Sequence, residues 1–510
     1  MRLHRLVWAS FVVAAAALNG CGAAPATDSD VRQLSAPVTV AKTYPRKVYV
    51  HMMPWFQVGG QHWSMNSRNS ATGVASWYAP MIGEYSSNDG NVIEYQLLLM
   101  KYAGIDGVIV DWPGLNGGYD RPQNKANSDA IINKTAQFGL EFGVCYEDQY
   151  ADSLDAAKGD MVYVRDTFFS KPNAIKVGGA PMVMVFGPQK FKAASDWSNI
   201  LSVFSTNPAF FPLWYNESTG AAADGKFAWI AQNGLKGLND FDAGLDGVDS
   251  GNKVPVLYPG FNPYYANGGW PGPTWKISYT LKPDNTEGGD TLASTFELGK
   301  YAGEPLQIAT WNDYGEGTMI EPTNQFQYKF LQTIQQSVGV VFTDAELKIV
   351  KMLYDGRKAN KPQMDQASTA LANLDVAGAC KILGCTAPVH MGAGGGGNGA
   401  AGSPGSAGSP GSAGAHTGTA GSASTAGAPN GAGGAPSGSA GNTVSAGNGA
   451  ATAGARAASG GAGSGDPEES SGSSSCSVGV LGAGSANRSA LLLAVGAAAF
   501  LSTRRRRTLS

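Results

Sequence analysis

The sequence predicts a (β/α)8 barrel between roughly residues 45 and 345, and three observations lead there. Short, nearly continuous apolar runs recur through this region, as expected for parallel strands buried on both faces. Amphipathic segments separate them at the spacing of β/α units. Polar and aromatic residues gather just after the runs, on the side where barrel enzymes carry their active sites.

The predicted strands are Lys47 to His51, Gly107 to Asp111, Glu141 to Tyr146, Pro181 to Phe186, Phe211 to Tyr215, Val254 to Tyr258 and Leu306 to Trp311. An eighth is expected near Phe227 to Ile230. Between the first two lies a helix that Asn88 or Asn91 can cap, with Ile93, Leu97 and Met100 on one face and Gly104 to end it. An open doubly wound sheet is the alternative fold. After the barrel, Asp344 to Tyr354 and Gln363 to Leu374 read as two amphipathic helices of a small appendage spanning residues 346 to 385.

The flanking segments read as address and spacer. Residues 1 to 21 have the layout of an export signal, with Arg2 and Arg5 ahead of the apolar stretch Leu6 to Leu18. Leu18-Asn19-Gly20-Cys21 resembles a bacterial lipobox, which would make Cys21 a lipidation site, although Asn19 departs from the usual small residue and simple secretion is the alternative. Residues 386 to 475 are dominated by Gly, Ala, Ser and Pro, too poor in apolar surface to offset ordering entropy, so a disordered linker is expected. From residue 476 to 510, Cys476, the apolar stretch Ala490 to Leu501 and Arg504 to Arg507 resemble the C-terminal sorting tails of myxobacterial surface proteins. The alternative is an ordinary C-terminal anchor. Both place the barrel outside the cytoplasm.

The net charge of −3 and the lack of a basic stripe in the barrel region leave no footprint for a phosphate backbone, so nucleic acid is not an expected partner. The five cysteines show no metal-ligand spacing. Cys380 and Cys385 could close a short loop, and Cys145 lies in an apolar run as a small buried hydrophobe. No metal, no cofactor and a monomeric chain are expected.

The densest chemical cluster follows the last predicted strand: Trp311-Asn312-Asp313-Tyr314-Gly315-Glu316-Gly317-Thr318, with Glu321 and Pro322 beyond. Two carboxylates three residues apart on a glycine-bearing loop suit glycosidic cleavage. That reaction needs one carboxyl kept protonated for the leaving oxygen and one ionised to activate water or a substrate hydroxyl. Flanking aromatics supply flat faces for sugar rings. The competing reading has Asp313 and Glu316 merely capping a following helix.

Trp311 to Glu316 resembles the signature of glycoside hydrolase family 71, the α-1,3-glucanases. Gly317-Thr318-Met319-Ile320-Glu321-Pro322 is similar to family 99, the endo-α-mannosidases, as are Tyr85-Ser86-Ser87 and Ala103 to Val108. His51-Met52-Met53-Pro54-Trp55-Phe56 is similar to the first-strand motif of the same group. This resemblance spans about residues 47 to 335. It implies a hydrolase of α-linked glucan or mannan, endo-acting by analogy, and the flanking segments make it secreted or surface-anchored. It also implies Glu316 as general acid and Asp313 as partner carboxylate. In family 71 that partner is an Asp that activates water, giving inversion. In family 99 a Glu deprotonates the sugar 2-hydroxyl, giving retention through an epoxide-like intermediate. Asp313 therefore favours inversion.

Further candidates for substrate contact are Trp311, Asn312 and Tyr314 in the same motif, Asp111 with Trp112, and Tyr146 with Glu147 and Asp148. Glu147 and Asp148 could bind sugar hydroxyls or tune Glu316 by like charge, a surface-loop role being the alternative. Trp55, Trp214 and Tyr258 are candidate stacking platforms, with core packing the commoner explanation for any one aromatic. His51 joins the candidates, although a lone histidine is more often structural; with His62 it makes up the histidines of the region, too few for the usual metal cluster. An inactive barrel that binds carbohydrate is the rival from another class. Neither an H-E-x-x-H nor a G-x-S-x-G motif is present in the folded region.

Overall fold

The computed structural model describes residues 38–390 apart from 116–120, 215–221, 244–251, 283–285, 287 and 304. The export signal with Cys21, the linker beyond residue 390 and the tail with Cys476 lie outside the described residues, as does Tyr215. Among the described residues no helix is long and apolar enough to cross a membrane.

Eight strand positions form a closed ring. They are β1 (Val48–Met52), β2 (Gly107–Trp112), β3 (Glu141–Tyr146), β4 (Ala180–Val185), β5 (Ala209–Pro212), β6 (Gly225–Phe227), β7 (Asn252–Val254 continued by Val256–Leu257) and β8 (Leu306–Ile308). Each strand from β1 to β5 pairs in parallel with the next. A single parallel bridge from Leu213 to Phe227 carries the ring from β5 to β6. The pairs β6–β7, β7–β8 and β8–β1, also parallel, close it. A ring has no edge, so the open-sheet alternative is excluded.

The far half of the ring is the less regular half. Pro255 splits β7 because it has no N–H for the ladder. The expected strand from Leu306 to Trp311 stops at Ile308, because beyond Ala309 the chain bonds to itself, Thr310 N to the Thr318 carbonyl and Ile320 N to the Thr310 carbonyl. The eighth strand lies at Gly225–Phe227, slightly earlier than expected.

The connecting helices are α1 (Gly90–Ala103), α2 (Arg121–Thr135), α3 (Leu154–Tyr163), α4 (Ala194–Leu201), α5 (Leu235–Asp242), α6 (Thr291–Gly299) and α7 (Lys329–Val338). The cap of α1 is Asp89, which accepts the Asn91 N–H, rather than either asparagine. Gly104 ends α1 at φ +80°, and a Cβ there would come within 2.7 Å of Val338 and Val340, so the position demands glycine twice over.

Three further helices follow, α8 (Asp344–Lys358), α9 (Met364–Ala372) and α10 (Val376–Leu383). They bury the outer face of α1. Arg357 grips Glu94 with two hydrogen bonds of 2.8 and 2.9 Å, and Ser368 Oγ adds a third at 2.5 Å. This arrangement explains why α1 has almost no exposed face. A disulfide joins Cys380 within α10 to Cys385 just beyond its end, and Cys145 is free and buried in β3.

Candidate active site

The ring directs the C-terminal ends of its strands into one cleft. Trp55 follows β1, Asp111 ends β2, Glu147 follows β3, Trp229 follows β6, and Asp313 and Glu316 follow β8. The cleft holds about 1090 Å³ of space, counted together with the solvent at its open mouth. Four carboxyl groups line it, and among the described residues no lysine or arginine does.

The loop after β8 is built by short-range hydrogen bonds. Thr310 Oγ1 accepts the Asp313 N–H at 2.8 Å, Asp313 Oδ1 accepts the Glu316 N–H at 2.9 Å, and the Asp313 carbonyl accepts the Thr318 N–H at 3.2 Å. The Asp313–Glu316 bond is the i to i+3 contact of a helix cap, yet no helix follows; residues 314–317 turn instead. Gly317 has φ +69°, and a Cβ there would lie 2.7 Å from the Asn262 carbonyl, so the turn packs directly on the segment after β7. That segment holds the loop with Asn262 N–H to the Glu316 carbonyl and Tyr264 N–H to the Gly315 carbonyl.

This burial separates the two carboxyls chemically. Asp313 and Glu316 are only 4 % and 3 % exposed. Burial and then the Asp313 charge push Glu316 well above the usual carboxylate range, against a weak hydrogen bond at 3.5 Å from the Tyr265 hydroxyl. Asp313 is pushed up less, to about 6, because the backbone N–H of Glu316, the charge of His62 and the N–H of Gly315 oppose burial. Near neutrality the pair thus holds one proton, resident on Glu316, beside an ionised Asp313. Two acids with separated affinities in one cleft are what glycosidic cleavage requires. Asp111 is also pushed well above its usual range, by burial first and then by Glu147 and Asp313. His51 donates to Gln307 Oε1 at 2.5 Å, and burial lowers it to about 4, so it lines the cleft uncharged.

Residues 42–241 match the model of the family described as Glycosyl hydrolase family 99. That stretch resembles family 99, and the chain is a glycoside hydrolase. Its fold is similar to the family 99 endo-α-mannosidase of Bacteroides thetaiotaomicron, with 18% identity over 60% of this chain and 98% of that one at a TM-score of 0.44. The same enzyme in complex with bis-tris-propane gives 17% identity, the same coverage and the same TM-score. A glycoside hydrolase-like protein gives 11% identity, again over 60% and 98%, at 0.45. No curated protein matches the chain.

Within this hydrolase the residues singled out from sequence divide into two groups. Asp313, Glu316, Asp111, Glu147, Trp55 and His51 line the cleft. The others are taken up in the walls behind it. Trp311 and Trp112 are fully buried, the latter against Tyr146, Tyr163 and Phe168. Tyr146 gives its hydroxyl to Asp160 at 2.6 Å. Asp148 accepts the N–H groups of Gln189, Lys190 and Phe191 and so fixes the loop after β4. Tyr258 is buried beside Thr295, and Trp214 packs edge-on against Phe241. Asn312 clamps both backbone groups of Met53, and Tyr314 points to Glu321. At the end of β2, alternation turns Asp111 and Trp112 to opposite sides; in the turn after β8 the loop's own hydrogen bonds and the Tyr314–Glu321 bond set the directions.

Sequence reasoning passed over His62, Tyr265 and Trp270. His62 stacks on Trp55 with ring centroids 4.8 Å apart at 15°, and Trp270 meets it edge-on at 5.7 Å. His62 and Tyr265 stand in single-turn helices, Gln61–Ser64 and Tyr265–Gly268, and Trp270 just beyond the second, in segments too short for periodicity to mark a facing side. Only the aromatic density of the stretch Tyr258 to Trp270 hinted at the last two.

Proposed function

We propose that this hydrolase acts outside the cytoplasm on an α-linked polysaccharide, with α-mannan the first candidate and α-glucan the second, and cleaves within the chain. Glu316 donates the proton to the leaving oxygen, and Asp313 serves as the ionised partner. The observation that carries this reading is the buried Asp313–Glu316 pair in the cleft, with burial keeping the proton on Glu316. The stacked Trp55–His62 rings, edged by Trp270, supply an aromatic wall for sugar faces. The family match over residues 42–241 favours mannan, while the Asp at 313, as in the family 71 signature, favours water activation and inversion. Asp111 and Glu147, on the β2 and β3 side, would accept hydrogen bonds from sugar hydroxyls.

The chain works as a monomer under this reading. Its export rests on residues 1–21, lipidation on Cys21, and surface display on the tail from residue 476. The test compares wild type with Glu316→Gln on α-mannan and α-glucan, following the anomeric proton of the first product by NMR. The expected result is hydrolysis by wild type and a loss of about 10³-fold in the variant, in the range of general acid catalysis. Equal activity of the two proteins would overturn the assignment of Glu316. Glycan binding without hydrolysis by either protein would instead make the barrel a carbohydrate-binding module.

A further inference from the structure

Glu321 is a buried carboxyl that the proposed chemistry does not use. It is 1 % exposed and does not line the cleft. Its oxygens accept three hydrogen bonds from three separate parts of the chain: Tyr85 hydroxyl at 2.8 Å, Tyr314 hydroxyl at 2.9 Å and Gln96 Nε2 of α1 at 2.7 Å. Tyr85 oxygen in turn accepts from Asn312 Nδ2 at 3.1 Å. Asn312 also accepts from Met53 N–H at 2.8 Å and donates to the Met53 carbonyl at 3.0 Å. One connected network therefore joins α1, the segment after β1 that carries Trp55, and the loop that carries Asp313 and Glu316.

The direction of the bonds matters. An ionised carboxylate offers only acceptors, and all three partners of Glu321 approach as donors, so each hydroxyl is oriented with its hydrogen toward Glu321. For Tyr85 that leaves the oxygen free to accept from Asn312. Burial raises Glu321 to about 7, and Gln96, Tyr85, Tyr314 and the Trp311 indole hold it down from going higher. Tyr95 and Tyr354 hydroxyls also sense its charge, so the groups facing it are tyrosines and a glutamine rather than a compensating cation. A buried carboxylate without a cation is costly to keep in a fold. Its place here is understandable if it sets geometry.

Resting on the reading of Asp313 and Glu316 given above, we propose that Glu321 is the positioning residue of the active site: by pulling Tyr314 inward and ordering the Tyr85–Asn312–Met53 chain, it turns Asp313 and Glu316 outward into the cleft and fixes them against Trp55. Tyr314 lies between the two carboxyls in sequence, so anchoring its side chain in the wall sets the direction of both neighbours. Misplacement of a reacting group by about 1 Å can cost on the order of 10²-fold in rate.

The test uses Glu321→Gln, which keeps the volume but puts an amide NH2 where two hydroxyls and an amide donate, and Tyr314→Phe, which removes one arm. Hydrogen exchange of peptides covering residues 311–320 is compared with that of β1 to β3, and kcat and KM are measured on the substrate that wild type cleaves. The expected result is exchange at least tenfold faster in residues 313–318 of Glu321→Gln with β1 to β3 unchanged, and kcat down tenfold or more at a KM within about twofold. Tyr314→Phe should shift both in the same direction by less. Unchanged exchange in the loop, or exchange raised throughout the barrel, would overturn the positioning role. So would a rise in KM at constant kcat. If wild type cleaves no α-linked polysaccharide, the proposed function falls while the exchange data still decide whether Glu321 holds the loop.

Discussion

The two ends of the barrel treat acidic residues in opposite ways. At the N-terminal end, Asp106 is ion-paired with Lys42 and Lys47, Glu141 pairs with Lys47, and Lys101 is spent on the Val38 and Phe138 carbonyls. Both carboxylates there face a cation. At the C-terminal end, Asp111, Glu147, Asp313 and Glu316 share a cleft into which no lysine or arginine side chain projects among the described residues. The first arrangement serves stability. The second stores electrostatic cost where the proposed chemistry would move protons, the division that barrels show between their two faces.

The strongest way to break this comparison is to neutralise Asp313, the proposed ionised partner of Glu316. Asp313→Asn should lower kcat/KM by about 10²-fold. In wild type the rate should climb as pH rises through about 6, because Asp313 must lose its proton to act; in the variant that climb should be absent. A profile of kcat/KM against pH checks both. A smaller effect is expected at the aromatic wall. Trp55→Ala removes the ring on which His62 stacks and should raise KM about tenfold with a lesser change in kcat, measured by steady-state kinetics.

The smallest effects sharpen the contrast between the ends. Asp111 has its proton affinity raised in the folded state, so it contributes most to stability at low pH, and that contribution is lost as pH rises from about 3.8 through its raised value. At pH 7, Asp111→Asn should therefore raise the melting temperature by about 2 °C, on the order of 1 kcal/mol, while impairing activity. Asp106→Asn at the opposite end should lower it by a similar amount or more, since Asp106 also accepts the Val48 N–H at 2.8 Å. Thermal melts of the two variants side by side give the sign at each end. Equal signs would dissolve the distinction.

Much of this was legible in the chain. The apolar runs of β1 to β4 stand out because they are buried on both faces, while the strands at Gly225–Phe227 and Asn252–Val254 are three residues long and interrupted nearby by Pro255, too short for any periodicity to show. The motif from Trp311 to Glu316 announced itself by composition. Its neighbours misled for a physical reason: Trp112, Tyr146, Tyr258 and Tyr314 carry the same aromatic signal whether they face a sugar or a wall.

What the sequence by itself determined is local. The order of β/α units, the i to i+3 bond between Asp313 and Glu316 N–H, and the glycines that let the loop turn are written in adjacent residues, because they depend on side-chain period, hydrogen-bond reach and allowed φ values. The tertiary structure alone decided which carboxyl keeps its proton, that His62 would lie against Trp55, and that Glu321 would be met by Tyr85, Gln96 and Tyr314. Each of these follows from desolvation or from contacts between distant segments, and such properties exist only once the ring has closed.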